Sequence, residues 1–551
     1  FFTVARIVLT GSGGKLSDQI QQNDKKEAQD GIKIWSDQQH LYSSGLKSME
    51  GLLYDNGWGG FNPASREYII QLEKDERTPA PWINVISNHR FGFLATESGG
   101  GYVWSENSRE NKLTPWSNDP VSDRPGEVLY IRDEVTGEIW TVTSLPIREE
   151  EMYRIRHGFG YTVYEHSSHG IHQELTVFVP KQETVKISIL RLKNESGVKR
   201  ELSATYYIRP VMGVSENNTA PYIVTGVHED MGILLAENKF NSDYPRRVLF
   251  VDSSEEQRTY TGNRREFMGY INSLEAPEGL KKYHELSNNI GAGYDPCAAI
   301  QVKFSMDSGE EKKLVFLLGQ SEGLAEVTTI CKKYRNINEA ERALNEVKNF
   351  WEDTLGVIKV KTPDTSMDLL LNGWLLYQTI CCRIWARSAF YQSGGAYGFR
   401  DQLQDAMSVV YVLPQLTYSQ ILRHAAHQFI EGDVQHWWHS AAEKENGGDK
   451  GIRTKFSDDL VWLPFVTADY IEKSQDWSIL DVEIGYLEDE LLGENEDERY
   501  NIPRVSQEKS SVYEHCIRAL EWVLKFGEHG IPLMGSGDWN DGMSTVGNKG
   551  R

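Results

Sequence analysis

A chain of 551 residues with 58 Lys and Arg, 80 Asp and Glu and 39% hydrophobic residues has room for two to four domains, each with its own core. Its net charge of −22 repels phosphate backbones and anionic lipid, so neither nucleic acid nor a membrane surface is an expected partner. The apolar opening at 1–10 is too short to span a bilayer, carries Arg6 and lacks a small-residue cleavage site. Five cysteines without CxxC spacing predict reduced thiols and a cytoplasmic setting rather than a disulfide frame or zinc site. The 15 Trp, 26 Tyr and 19 Phe suit sugar faces, and equally suit a large core.

Residues 1–50 form a polar N-terminal segment with weak helical periodicity over 32–46. At 54–61, YDNGWGGF sets three glycines around one Trp, predicting a tight turn with close backbone approach. From 51 to 325 short alternating runs follow one another between turn signals, at 128–131, 139–142, 161–165, 171–179, 185–192, 202–208, 223–227, 232–236, 248–251, 298–304 and 313–318. Many short strands with few helical stretches predict a large antiparallel beta-sandwich. The period then changes. Residues 326–362 read as a helical linker built on the charged helix 337–355, and 363–551 as a helix-rich domain. There, Asp364 and Thr365 offer N-caps to a helix over 367–385, apolar on most sides as if buried between neighbours. Further helices fit 404–412, 418–430, 458–472 and 512–526. About five helices and a glycine-rich end at Arg551 predict a helical toroid that continues in another piece.

Three groups of residues carry chemistry. In GSGDWNDG, 535–542, Asp538 and Asp541 flank Trp539 and Asn540. A general acid for glycoside cleavage needs a carboxyl beside an apolar ring that raises its pKa and a neighbour that orients the sugar, and an ordinary Asx-turn loop has the same composition. In GGAYGFRDQLQD, 394–405, Arg400 and Asp405 stand five apart, able to converge on one ligand or on each other, or to form an internal pair capping a helix. In EGDVQHWWH, Asp433, His436 and His439 lack the order of a zinc motif and suit a helix-surface or sugar-subsite pair, with Trp437 and Trp438 packing or stacking on sugar. The proline-marked segments 78–88 and 108–119 are richer in Trp, Asn and Arg than strand connectors require, although Pro79, Pro81 and Pro115 also make rigid loops. No dinucleotide, P-loop or serine-elbow motif is present, which disfavours nucleotide cofactors and a serine nucleophile.

NGWGGF, TPAPWINVISN, SRENKLTPWSNDPVSDRPGEVLYIRD, RHGFGYTVYEHSSHGI, GFRDQLQD and GSGDWNDGM, in that order, resemble glycoside hydrolase family 94 from about residue 50 to 551, in the branch acting on beta-1,2-glucans. The resemblance implies a beta-sandwich, a helical linker and an (alpha/alpha)6 barrel, incomplete in this chain. It implies Asp541 as general acid with Trp539 and Asn540 beside it, and Arg400 and Asp405 in the glucose-holding subsite. Asp538 is then structural, and the phosphate-holding residues are expected after Arg551. Family dimers use loops of the beta half to complete a neighbour's site, so monomer and homodimer both stay open.

One catalytic carboxyl suffices for phosphorolysis, because inorganic phosphate is already an anionic nucleophile, whereas an inverting hydrolase needs a second carboxylate to activate water. The expected activity is inverting phosphorolysis of beta-1,2-glucooligosaccharides to alpha-glucose 1-phosphate. Phosphate is the co-substrate, and neither metal nor cofactor is expected. Three alternatives stay open: a chain-length-controlling module of a cyclic beta-1,2-glucan synthase, a beta-glucan hydrolase, and a glucan-binding protein without catalysis.

Overall fold

The computed structural model describes residues 15, 46–270, 273–281, 285–440 and 447–533. Its first half is two antiparallel sheets packed face to face. A ten-stranded sheet runs in the order 59–61, 68–72, 153–158, 161–168, 171–178, 185–194, 311–322, 247–253, 234–237 and 224–227. A five-stranded sheet of 258–263, 296–306, 200–208, 127–133 and 139–141 covers one face of it, and a small sheet of 83–87, 91–96 and 103–105 lies beside them.

The pleat explains why the central strands read as nearly continuous apolar runs. On Glu311–Glu322, Leu314, Phe316 and Leu318 face the five-stranded sheet, while Val315 and Leu317 face the other way. That outer face is covered by the helices Leu324–Tyr334 and Ile337–Leu355 through Val327, Ile330, Tyr334, Val347 and Trp351. With both faces buried, strict polar alternation has no reason to appear, and each Leu or Phe so enclosed contributes about 1.5–3 kcal/mol. Two glycines are obligatory at close approaches. A Cβ on Gly59 would sit 2.2 Å from Ile69 O, as the GWGGF turn predicts. At Gly160 (φ +81°) it would sit 2.5 Å from Trp351 Nε1, where the linker helix presses on a sheet hairpin.

A helical domain follows the sandwich. Its first stretch begins at Asp364, whose carboxylate accepts from Ser366 N at 2.9 Å, and runs as Thr365–Leu369, Leu370–Trp374, Leu375–Gln378 and Thr379–Ala386. The second and fourth of these are π-helical, with widened turns. Arg387 ends the stretch in the left-handed region (φ 49°) and donates to Ile384 O at 3.1 Å and Trp385 O at 2.7 Å, satisfying carbonyls left open by the helix end. Among the described residues the burial is one-sided rather than on most sides: Met367, Leu370, Leu371 and Leu375 are exposed, while Trp374, Tyr377, Ile380, Cys381 and Ile384 pack on the sandwich and linker.

Other expectations shift in the same domain. The helix expected over 404–412 starts earlier and stops sooner, at Phe399–Met407. That expected over 418–430 spans Pro414–Ala425. Residues 435–439 are not helical at all. They form a strand, Gln435–His439, between Tyr397–Gly398 and Lys450–Thr454, and Glu498–Asn501 extends that sheet. The segment 32–46 lies outside the described residues.

The Trp- and Asn-rich loops of the sandwich act as fasteners to the helical domain. The Tyr377 hydroxyl lies 2.9 Å from both Asn84 Oδ1 and Val85 O and accepts from Gly160 N at 3.1 Å, while Asn84 Nδ2 donates to Gly158 O at 2.8 Å. Ser108 Oγ donates to Ala386 O at 2.7 Å, Trp116 Nε1 to Phe390 O at 2.6 Å and Asn107 Nδ2 to Gly395 O at 3.1 Å.

One clamp of the sandwich is pH-sensitive. His169, stacked on Trp140 with ring centroids 4.4 Å apart, meets Glu149 at 3.1 Å and Glu138 at 3.5 Å. Burial alone would lower its pKa, but the two carboxylates outweigh that and raise it to about 9. A raised folded-state pKa contributes stability fully present below the ordinary histidine value near 6.5 and lost as pH climbs through about 9. We expect His169→Gln to lower stability by up to about 3 kcal/mol at pH 6. The difference in melting temperature from the parent should close by pH 9.5, and a difference independent of pH would contradict the assignment.

Candidate active site

The helix Phe399–Met407 presents the Arg400 cluster. Its N-cap, Gly398, is held from three sides: its backbone pairs with Trp437, its N–H donates to Gln402 Oε1, and its carbonyl meets His424 Nε2 at 3.4 Å. The strand alongside is fixed by a ring stack in which Tyr397 lies on Trp438 (5.6 Å) and Trp438 on His427 (3.8 Å), with the Arg387 guanidinium 3.8 Å over Tyr397. Trp438 is therefore a packing residue. Trp437 leans on Tyr500 at 5.3 Å and is only partly buried.

Arg400 and Asp405 share this helix but do not pair with each other. At 100° per residue, five positions separate their side chains by about 140°. Arg400 Nη1 pairs with Asp458 Oδ2 at 3.3 Å, and its Nη2 lies 3.8 Å from Asp401. Asp405 pairs with Arg383 Nε at 2.9 Å, and burial raises its pKa, partly offset by that arginine. The internal Arg400–Asp405 pair is thus absent, and each residue has a different partner.

Asp459, beside Asp458 and within reach of the Arg400 charge, meets His436, whose Nδ1 lies 2.6 Å from Asp459 Oδ2 and whose ring meets Phe456 edge-on at 4.6 Å. Burial raises the Asp459 pKa, with His436 lowering it again, and Asp459 Oδ1 has no hydrogen-bond partner among the described residues. His436, at a bulge in the strand, and His439 meet different partners. His439 meets Asn107 at 3.4 Å and Glu110 at 3.7 Å, and burial depresses its pKa to about 4. Asp433 is engaged by Arg453 through two 2.7 Å contacts, a buried bidentate pair that anchors the hairpin. Among the described residues no group of three or more His, Cys, Asp or Glu side chains could hold a metal.

Arg400, Asp458, Asp459 and His436 therefore form a cluster of donors and acceptors with the Phe456 ring at its edge, the kind of chemistry that can hold vicinal hydroxyls of a sugar. Asp538, Trp539, Asn540 and Asp541 lie outside the described residues. Asp459 and Arg383 do not stand out in the sequence, and Asp458 reads only as the start of a helix. An acid pair ahead of an apolar helix looks like a capping signal, and Arg383 offered a clue as the one charge within 375–386.

Comparison with known proteins agrees with this architecture. Residues 66–337 match the glycosyl hydrolase 94 supersandwich domain, and residues 350–550 match the catalytic domain of the glycosyl hydrolase 94 superfamily. Cyclic beta-(1,2)-glucan synthase NdvB of Rhizobium meliloti (strain 1021) is 39% identical over 497 residues, covering 90% of this chain and 17% of the synthase. N,N'-diacetylchitobiose phosphorylase of Vibrio proteolyticus is 27% identical over 520 residues, 89% of this chain and 62% of that enzyme. Solabiose phosphorylase of Paenibacillus borealis is 26% identical over 517 residues, 90% of this chain and 60% of that enzyme. The chain thus spans about a sixth of the synthase and about three fifths of each phosphorylase. Matched in order by both of its domains, the chain belongs to glycoside hydrolase family 94.

Proposed function

We propose that the protein carrying this chain performs inverting phosphorolysis of beta-1,2-linked glucooligosaccharides, releasing alpha-glucose 1-phosphate and a shortened glucan. The observation that carries the reading is the Arg400 cluster on a helix of a domain whose relatives include phosphorylases, together with the 39% identity to a protein named for beta-(1,2)-glucan. Arg400, with Asp458 beside it, and Asp405 hold hydroxyls of the terminal glucose. Asp541 gives its proton to the glycosidic oxygen as the C1–O bond breaks, and a phosphate oxygen bonds to C1 from the opposite face, inverting beta to alpha. In the reverse direction the Asp541 carboxylate takes the proton back. Trp539 supplies the ring that keeps the Asp541 carboxyl protonated, and Asn540 orients the sugar. Inorganic phosphate is the co-substrate, and the chemistry calls for neither metal nor cofactor.

The likeness to NdvB supports a second reading, in which the same chemistry controls chain length inside a cyclic glucan synthase. No helix among the described residues is long and apolar enough to cross a membrane, and the five cysteines are free, four of them buried. The free thiols support a cytoplasmic setting for this part of the protein.

The test is to incubate the intact protein with beta-1,2-glucooligosaccharides, with and without phosphate, and to assay alpha-glucose 1-phosphate. Release that requires phosphate, and that falls by about 10²-fold or more in Asp541→Asn, is expected. Free glucose formed without phosphate, or full activity in Asp541→Asn, would overturn the proposal.

A further inference from the structure

A cavity of about 750 Å³ lies in the sandwich, walled by the 109–117 loop, the end of the five-stranded sheet and Ser393 of the helical domain. None of Arg400, Asp405, Asp458, Asp459 or His436 lines it. Its wall carries five cations, Arg109, Lys112, Arg124, Arg209 and Arg264, in a chain whose net charge is −22. Three carboxylates partner them. Arg109 meets Glu110, Arg209 meets Glu216 at 2.7 Å, and Arg209 and Arg264 share Asp295 at 2.8 and 3.1 Å. Two cations are left over.

Lys112 is the telling one. It is only 4% exposed, and its ammonium donates to two backbone carbonyls, Arg109 O at 2.9 Å and Val214 O at 3.1 Å, with no carboxylate partner among the described residues. An ammonium has three donors, so one remains. Burying a cation without a counter-charge is costly, and burial depresses its pKa to about 8. Arg124, exposed on the same wall, likewise has no carboxylate partner among the described residues. An anion in the cavity would supply what both lack. Trp116 lines the same cavity, its indole locked by the bond to Phe390 O and its ring 6.0 Å from the Lys112 ammonium. A flat ring beside a buried cation suits a pyranose that carries a charged group.

We propose that this cavity binds a sugar phosphate, with Lys112 and Arg124 on the phosphate and Trp116 against the pyranose. The inference does not depend on the catalytic reading, because no residue assigned to catalysis takes part. It is tested by titrating the intact protein with glucose 6-phosphate, inorganic phosphate and glucose, and following heat. Glucose 6-phosphate should bind more tightly than either fragment. Lys112→Met, which keeps the apolar stem, and Arg124→Ala, at an exposed position, should each weaken it about tenfold or more, the loss expected from one charge-assisted hydrogen bond. Binding unaffected by both cavity variants, or no binding of glucose 6-phosphate, would overturn the proposal. Counting only the heat that is lost in Lys112→Met, equal affinity for inorganic phosphate would overturn the sugar contact, and equal affinity for glucose the anion contact.

Discussion

One buried hydroxyl joins the two halves of this molecule. Tyr377, 1% exposed, reaches from the first helical stretch of the catalytic domain to Asn84 and Val85 on the small sheet and to the amide of Gly160 in a hairpin of the large sheet. Each partner is a polar group shut away from water, and such a group left unpaired costs about 1–3 kcal/mol. The hydroxyl therefore specifies where the helix sits rather than merely adding attraction. Apolar contacts of Trp351, Trp374 and Phe159 around it supply most of the burial, but they would tolerate sliding that the hydrogen bonds do not.

From that node the placement runs outward to the candidate site. The helical stretch ends at Arg387, which both caps it and lies over Tyr397. Tyr397 stacks on Trp438, in the strand that carries His436, and Gly398 opens the helix that carries Arg400. The loops at 107–116 hold the intervening segment at Ala386, Phe390 and Gly395. The sandwich thus acts as the jig for the Arg400 cluster, and the segment that fastens it also walls the cationic cavity around Lys112.

The sequence made the parts governed by local pattern legible, and left the parts governed by distant partners obscure. The helix Ile337–Leu355 was readable to the residue because its caps and amphipathic face are local. The long sandwich strands were visible as apolar runs, whereas Tyr153–Gly158 was passed over because its Arg154 and Arg156 pair with Glu165 across the hairpin. The strand Gln435–His439 looked helical because histidines three apart suit a helix face. Its actual partners, Lys450–Thr454 and Glu498–Asn501, lie too far along the chain for periodicity to reveal. At the candidate site, GFRDQLQD marks the helix Phe399–Met407. Which side chain each charge would meet depended on Asp458 and Arg383, placed by tertiary packing alone.

Hydrogen exchange on Tyr377→Phe tests the central claim most directly. If the hydroxyl couples the two halves, the Gly158–Tyr161 turn and the helix around 375–386 should lose protection together, by about ten- to a hundredfold, as expected for groups worth 1–3 kcal/mol. Loss confined to one of the two segments, or protection unchanged in both, would contradict it.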